Sequence, residues 1–324
     1  MPISEYAASL RQHVGHATLL VPAAAAIIRN ADGHVLLIRR SDTGGWSLPG
    51  GMMDPGERIA ECVVREVDEE TGLKVPLDVA DADYMLLLSS MEIMNFPEFI
   101  GSIARIFKKA EVSWTLSSQA FEATNSGIQI GVSDIAAELV QRIVDAAEAL
   151  KVKAVISPEC GHAYMAIRWE GPNLVGKPFN FKVVHILELL DELRTQGRLK
   201  LKDKEIQKLT YHDPCQISRR GGVINQPRNL LNMVADNFVE MPEAGKMNWC
   251  CGAGGGVSAN ERADEIRLKV FDRKKAQLEE IRPDGIISAC SNCRIHLEDG
   301  LEENNMHIPL LSLTETIAEH LADD

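Results

Sequence analysis

The sequence predicts an α/β protein: tandem, pseudo-twofold α/β repeats preceded by a smaller, partial α/β module. Three observations carry this. Short apolar runs of β-like composition alternate with segments of helical periodicity over most of the chain. An internal repeat of more than 100 residues begins near Asp83. Ahead of it lies a strand, turn, strand, glycine-loop and helix pattern that does not recur. The boundaries that follow are 1–80 for the partial module, 81–200 for the first repeat and 201–324 for the second.

Taken in order, residues 1–17 form a short amphipathic leader. Ala23–Ile28 and His34–Ile38 read as strands around Asn30-Ala-Asp-Gly33, a turn sequence suited to a hairpin. A helix follows from about Arg58 to Thr71, with Gly72 where a left-handed C-cap belongs. Met85–Leu88, Ala154–Ile156, Leu209–Tyr211 and Gly285–Ile287 read as short buried strands. Ile135–Leu150, Lys182–Leu193, Arg228–Asn237 and Ala259–Ile281 carry helical periodicity. Gly197–Lys208, rich in Lys and Asp, reads as the linker between repeats.

The repeat aligns Asp83–Met91 with Gln207–Cys215, and Gln119-Ala-Phe-Glu-Ala with Asn248-Trp-Cys-Cys-Gly252. Ser157-Pro-Glu-Cys160 then falls on Cys290-Ser-Asn-Cys293, and Val183–Leu190 on Leu310–Ile317. The offset rises from 124 to 133 residues and returns to 127, as loop insertions and deletions produce. Met91, Phe121, Glu122 and Ser157 stand in the first copy where the second has thiols.

Composition narrows the function. The 324 residues are 45% hydrophobic and 25% charged, which suits folded domains with real cores. A net charge of −13 argues against binding nucleic acid or anionic membrane surfaces. The longest apolar stretch, Leu19 to Ile28, contains Pro22 and is far too short to span a bilayer. No basic segment precedes an apolar one at the start, so a cytoplasmic protein without direct membrane insertion is expected. In a reducing cytosol the seven cysteines read as metal ligands before disulfides.

Near the N-terminus, Glu66, Glu69 and Glu70 are spaced i, i+3 and i+4 and so share one helix face. Three carboxylates that close repel unless a hard cation sits among them, and oxygen-only ligation suits Mg²⁺ or Mn²⁺. Such a metal polarises a diphosphate and lowers the pKa of an attacking water. Arg65 is placed to orient Glu57 or a neighbouring carboxylate. The alternative is a solvated acidic helix face. The whole run, Gly51-x5-Glu57-x7-Arg65-Glu66-Val67-Asp68-Glu69-Glu70-Thr71-Gly72-Leu73, matches the Nudix box at every fixed position, and Trp46-Ser-Leu-Pro-Gly-Gly51 fits upstream. It resembles the Nudix hydrolases, which cleave nucleoside diphosphates linked to another moiety. The resemblance implies that Glu66, Glu69 and Glu70 bind metal, with Glu57 and Glu69 in catalytic roles. The pattern breaks off at about residues 76–83, before the strands and helix that would complete a Nudix fold.

The second repeat reads Cys215-x34-Cys250-Cys251-Gly252-x37-Cys290-x2-Cys293. Thiolates from three loops, each after a predicted strand, can converge at one edge of a parallel sheet. Five soft ligands exceed the four of a structural zinc site and favour iron–sulfur chemistry. Gly252-Ala-Gly-Gly-Gly256 lets backbone approach a bulky cluster. A zinc site with one spare thiol is the alternative. The pattern resembles the cysteine-rich CCG domain of heterodisulfide-reductase-type proteins. Residues 83–322 are similar to the C-terminal part of the iron–sulfur subunits of sulfite-reduction-associated complexes, notably in Ser89–Pro97, Ser157-Pro-Glu-Cys-Gly-His162 and Tyr211-His-Asp-Pro-Cys215. The resemblance implies a noncubane [4Fe–4S] cluster on Cys215, Cys250, Cys251, Cys290 and Cys293, where a disulfide or related sulfur substrate is reduced. No ferredoxin-type C-x2-C-x2-C run occurs, so electrons are expected from a partner redox subunit or membrane complex.

Around these thiols, His212 and His162 are candidate proton donors to a leaving thiolate, or ordinary strand-end histidines. Cys160 reads as a buried inert thiol or a substrate-site thiol, and Cys62 as core. Arg219 and Arg220 attract an anionic substrate or lie in a solvated turn. Three functions follow: an iron–sulfur disulfide oxidoreductase subunit, a Mg²⁺-dependent Nudix pyrophosphohydrolase, and a non-catalytic zinc-binding or docking module.

Overall fold

The computed structural model describes residues 5–15, 17–18, 21–28, 34–40, 44–71, 76–254, 256–257 and 260–322. They belong to two units, Met1–Leu77 and Asp78–Asp324.

In the first unit, helix Glu5–Val14 precedes four short strands, β1 (Ala23–Ala25), β2 (Ile38–Arg39), β3 (Trp46–Ser47) and β4 (Gly50–Met52). β1 pairs antiparallel with β4, and β2 with β3. The expected hairpin strands are therefore shorter than predicted. Their turn at Asn30–Gly33 lies outside the described residues, although the Leu36 N–H donates to the Ile28 carbonyl at 2.7 Å. The box helix runs Ile59–Thr71, and its expected cap Gly72 also lies outside the described residues. Cys62 and Val67 are buried, as a helix face turned to a sheet requires. Ile27, Trp46 and Ile59 are each 67% exposed, so much apolar surface of this small module stays uncovered.

The second unit holds two four-stranded parallel sheets. The first contains β5 (Tyr84–Leu86), β6 (Trp114–Thr115), β7 (Ala154–Ser157) and β8 (Lys182–His185) in the order β6-β5-β7-β8. The second contains β9 (Glu205–His212), β10 (Ala235–Phe238), β11 (Gly285–Ser288) and β12 (Leu310–Leu311) in the order β10-β9-β11-β12. Both have the same succession, second-first-third-fourth, which is the structural content of the sequence repeat. Every residue of the central strands β7 and β11 is buried, as parallel strands covered on both faces demand.

Four expectations need correction. Lys182–Leu193 is not one helix: Lys182–His185 is β8, pairing with β7, and the helix is Ile186–Thr195. Val183 and Val184 favour the strand, and a reciprocal cap between His185 and Glu188 marks the switch. Gly197–Lys208 is not all linker, because Glu205–Lys208 already belongs to β9 and registers with Ala235 and Asn237. Helical periodicity over Arg228–Asn237 resolves into a helix Asn225–Val234 and then β10. The long helix begins at Asp264, after a 3₁₀ turn at Glu261–Ala263.

The two repeats share one core. Phe99, Ile103, Ile106 and Phe107 of helix Glu98–Lys109 are buried in the same cluster as Leu313 and Ile317 of helix Leu313–Glu319. Arg105 seals this junction by donating to the Ala318 carbonyl at 2.9 Å. Each repeat thus covers part of the other.

Candidate functional site

Parallel sheets offer a crevice at the carboxyl ends of their strands, where the strand order reverses. In the second sheet that point lies between β9 and β11. Cys215 follows β9, Cys250 and Cys251 follow β10, and Cys290 and Cys293 follow β11. Topology alone therefore brings the five cysteines to one edge.

The loops are held by a polar frame that the sequence pattern did not disclose. Asp213, 2% exposed, accepts two hydrogen bonds from Arg228 at 2.8 and 2.7 Å and one from the Gly245 N–H at 2.7 Å. Its carbonyl accepts from the Asn248 side chain at 2.5 Å. The loop after β9 is thereby tied to the loop that carries Cys250 and Cys251. Arg219 donates to the Asn248 carbonyl and side chain at 2.5 and 2.7 Å, which engages its guanidinium in this frame. Arg220 is exposed and pairs with Glu170 at 3.5 Å.

Within the frame none of the five cysteines is in a disulfide. The neighbouring thiols of Cys215 and Cys251 hold the pKa of Cys250 well below the usual thiol range. Cys250 in turn pushes the pKa of Cys215 up, and that of Cys251 likewise. Cys251 and Cys293 Sγ are 3.3 Å apart. The neighbouring Cys293 thiol lowers the pKa of Cys290. Backbone N–H groups also point at sulfur: Gly252 to Cys250 at 3.3 Å and Gly161 to Cys290 at 3.5 Å. Gly252 has φ +98°, and a Cβ there would press on the Arg267 carbonyl at 3.3 Å and on Val270 at 3.4 Å. Only glycine turns the chain so tightly against the helix behind.

Five thiolates gathered at one sheet edge could not all ionise without a cationic centre among them. The donor set, soft sulfur with N–H groups aimed at it, fits a thiolate-held iron–sulfur cluster. His212 lies at the same place. It is 1% exposed, neither ring nitrogen has a hydrogen-bond partner, and its ligand atom lies within 4.8 Å of the Cys251 and Cys293 sulfurs. Burial lowers its pKa to about 3, so it is a neutral imidazole. His162, with Nε2 unpartnered, lines a small cavity bounded by Cys215, Cys251, Cys290 and Cys293.

The first repeat's equivalent edge differs. Cys160 caps helix Gly161–Tyr164 with φ −137° and ψ 113°, and Cys290 caps Ser291–Glu303 with φ −149° and ψ 111°. The fold therefore pairs Cys160 with Cys290, three residues from where sequence alignment sets it, and Ala163 takes the place of Cys293. An extra loop residue between β7 and its helix conceals this in the sequence. Cys160 is fully buried, and Ser157 matches Ser288 rather than a thiol.

In the first unit the box residues gather around Arg65. Its guanidinium bonds Glu57 at 2.8 and 3.0 Å and Glu66 at 2.7 Å, with Glu69 at 3.6 Å. Hydrogen bonds from Arg65 hold Glu57 down to about 2. Glu70 turns away to accept the Gly50 N–H at 2.8 Å, and its Oε1 is buried without a partner. Cys62 packs between helix and sheet as expected, its thiol 3.7 Å from the Gly51 carbonyl.

Comparison with known proteins agrees with both motifs. A cysteine-rich domain model, CCG, matches residues 209–298, and a NUDIX domain model matches 19–99, running past Leu77 into the first parallel sheet. A component of the dihydromethanophenazine:CoB–CoM heterodisulfide reductase of Methanosarcina barkeri is 32% identical over 194 residues, covering 60% of this chain and 47% of that protein. An EtfAB:quinone oxidoreductase of Syntrophomonas wolfei is 30% identical, covering 80% of this chain and 35% of the relative. An iron–sulfur component of an Hdr-like menaquinol oxidoreductase of Archaeoglobus fulgidus is 27% identical, covering 76% and 52%. The chain spans about half or less of the length of these relatives. Residues 209–298 are a cysteine-rich CCG domain, and through it a chain that also carries a NUDIX segment is related to the heterodisulfide reductases.

Proposed function

We propose that the chain is an iron–sulfur oxidoreductase subunit of heterodisulfide-reductase type. In this reading Cys215, Cys250, Cys251, Cys290 and Cys293 hold one noncubane [4Fe–4S] cluster, and a small disulfide or related sulfur substrate is reduced beside it. The observation that carries the reading is the gathering of five thiols at the carboxyl edge of the second sheet, four of them around one cavity. When bound, the cluster supplies one-electron chemistry at sulfur. Reducing a disulfide takes two electrons and two protons and gives two thiols. The electrons come from a partner redox subunit or a membrane complex; among the described residues no helix is long and apolar enough to cross a membrane.

The chain's own residues do the rest. The Asp213–Arg228 pair fixes the loops, so the ligand set is preorganised. N–H groups of Gly161 and Gly252 offset charge on Cys290 and Cys250. His212, neutral and with both ring nitrogens uncommitted, can offer a ring N–H as a hydrogen-bond donor that steadies a departing thiolate, while the two protons come from solvent. The test is anaerobic purification followed by absorption, iron and sulfide analysis, and reduction of a model disulfide with a chemical reductant. A broad brown absorption with disulfide turnover is expected. Colourless protein containing zinc would reject the reading for the zinc-binding or docking alternative.

A second reading rests on the Nudix box. Gly51 leaves room for the Glu66 carboxylate and Glu70 keeps a buried oxygen uncommitted, hard oxygen donors of the kind Mg²⁺ or Mn²⁺ takes. Glu66 is nevertheless held on Arg65 and Glu70 on the Gly50 N–H, so the three carboxylates must regroup to share an ion. Glu66, Glu69 and Glu70 would hold the ion, with Glu57 and Glu69 assisting pyrophosphate hydrolysis. Glu69→Gln should weaken Mg²⁺ binding by about tenfold in a calorimetric titration; an unchanged curve leaves Glu69 a surface residue.

A further inference from the structure

Lys274 belongs to no motif in the sequence, yet it is the one lysine buried among the described residues, at 1% exposure. Its ammonium has two neighbours, Gln277 Oε1 at 2.9 Å and Met241 Sδ at 3.3 Å, and neither carries charge. Glu243 is engaged by the Arg273 guanidinium and by the Gln277 amide at 2.6 Å. A buried ammonium with no counter-ion costs several kcal/mol, so its location calls for an anion nearby.

The helix that carries it supplies the answer. Asp264–Ile281 runs directly behind the Trp249-Cys250-Cys251-Gly252 turn. The Trp249 indole N–H donates to the Val270 carbonyl at 2.9 Å, Arg273 stacks 4.5 Å over the Trp249 ring, and Gly252 packs against Arg267 and Val270. Lys274 is one helical turn beyond Val270 on the same face. Burial lowers its pKa to about 8, while Cys251 first, then Glu243, Asp213 and Cys293, favour its charged form. Its charge is felt at His212 in turn.

We propose that Lys274 is a positioning residue whose buried ammonium is the fixed counter-cation of the thiolate site at Cys251 and Cys293, raising the reduction potential of the cluster held there. The proposal rests on the cluster reading given above. One-electron reduction adds one negative charge to the site. A cation held in a low-dielectric interior stabilises the more negative member of the couple more than the less negative one. Arg267 and Arg273 already have carboxylate partners, Asp264 and Asp299 for the first and Glu243 for the second, so Lys274 is left as the uncompensated charge.

The test uses the full chain, reconstituted anaerobically, as wild type, Lys274→Met, Lys274→Gln and Lys274→Arg. Iron per chain, the electron paramagnetic resonance line shape and the reduced fraction against ambient potential are measured on each. Two neutral variants are included so that poor folding of one leaves the other. Both are expected to keep the iron content and line shape. At the wild-type midpoint their reduced-to-oxidised ratio should fall by about tenfold or more, which is 59 mV for a one-electron couple. Lys274→Arg should stay close to wild type. An iron-replete neutral variant with an unshifted titration overturns the role of Lys274 and leaves the cluster reading intact. A wild-type protein that takes up no iron overturns the cluster reading, and the proposal with it.

Discussion

Cys250 and Cys251 are adjacent, but their sulfurs have different partners. Cys250 Sγ receives the Gly252 N–H at 3.3 Å, while Cys251 Sγ lies 3.3 Å from Cys293 in the helix Ser291–Glu303. A four-thiolate cubane would need only one of them, whereas a noncubane cluster spread across the pair needs both. Serine keeps the size but offers a harder, far less acidic ligand. Cys250→Ser and Cys251→Ser should each lose or convert the cluster and lower disulfide reduction by at least about tenfold. Cys62→Ser, buried between the box helix and its sheet, should do neither. The comparison is iron content, paramagnetic spectrum and turnover on all three variants. Full retention by either member of the pair would make a cubane or a zinc site on the remaining four cysteines the better reading.

At the scale of elements, the last helix is clamped to the start of β9 by a histidine between two carboxylates. His320 Nδ1 lies 2.6 Å from Asp203 and Nε2 3.1 Å from Glu205, and the His320 carbonyl accepts the Lys202 N–H at 2.9 Å. Burial alone would lower the pKa of His320, but the hydrogen bonds to Asp203 and Glu205 outweigh it and raise the pKa. A raised histidine pKa contributes stability that is complete below the unfolded value of about 6.5 and is lost as pH rises through the folded value. The thermal midpoint should therefore decline as pH is raised above neutrality, and His320→Gln should flatten that decline. An identical pH profile in the variant would remove the clamp from the account. Neither this clamp nor the edge strands could be read from the sequence. β8 hides at the head of a helical pattern because Lys182–His185 is only 4 residues long, and β10 hides at the tail of another. At the thiol edge Cys250 showed itself only by the Cys-Cys-Gly spacing, while Cys215 and Cys290, each after a strand visible in the sequence, were legible. Asp213 with Arg228, and Lys274, were not, since a charged residue on a helix reads as solvated until the fold shows what lies over it.

For the whole molecule, the pseudo-twofold relation brings the two helix starts at Cys160 and Cys290 together. The Gly161 N–H reaches Cys290 Sγ, and the Ser291 N–H donates to the Glu159 carbonyl at 2.7 Å. The first repeat nevertheless holds its loops by another means. The Glu122 carboxylate accepts from the Ser90 N–H at 3.1 Å and the Thr124 N–H at 2.9 Å, and a parallel bridge joins Leu88 to Glu122. A carboxylate pinned to backbone thus stands where the second repeat presents paired thiols. Phe121 beside it is 41% exposed, and Cys160 is the one thiol of that half. A lone sulfur cannot hold a cluster, so one [4Fe–4S] unit, about four irons per chain, is expected after anaerobic reconstitution. Cys160→Ser should leave that number unchanged, because Cys160 belongs to the first repeat's helix start, outside the five proposed ligands. About eight irons per chain would mean that the first repeat recruits ligands other than cysteine, and that its carboxylate-pinned loops rearrange to do so. A value near four that falls on replacing Cys160 would instead make that residue a ligand contributed across the pseudo-twofold axis.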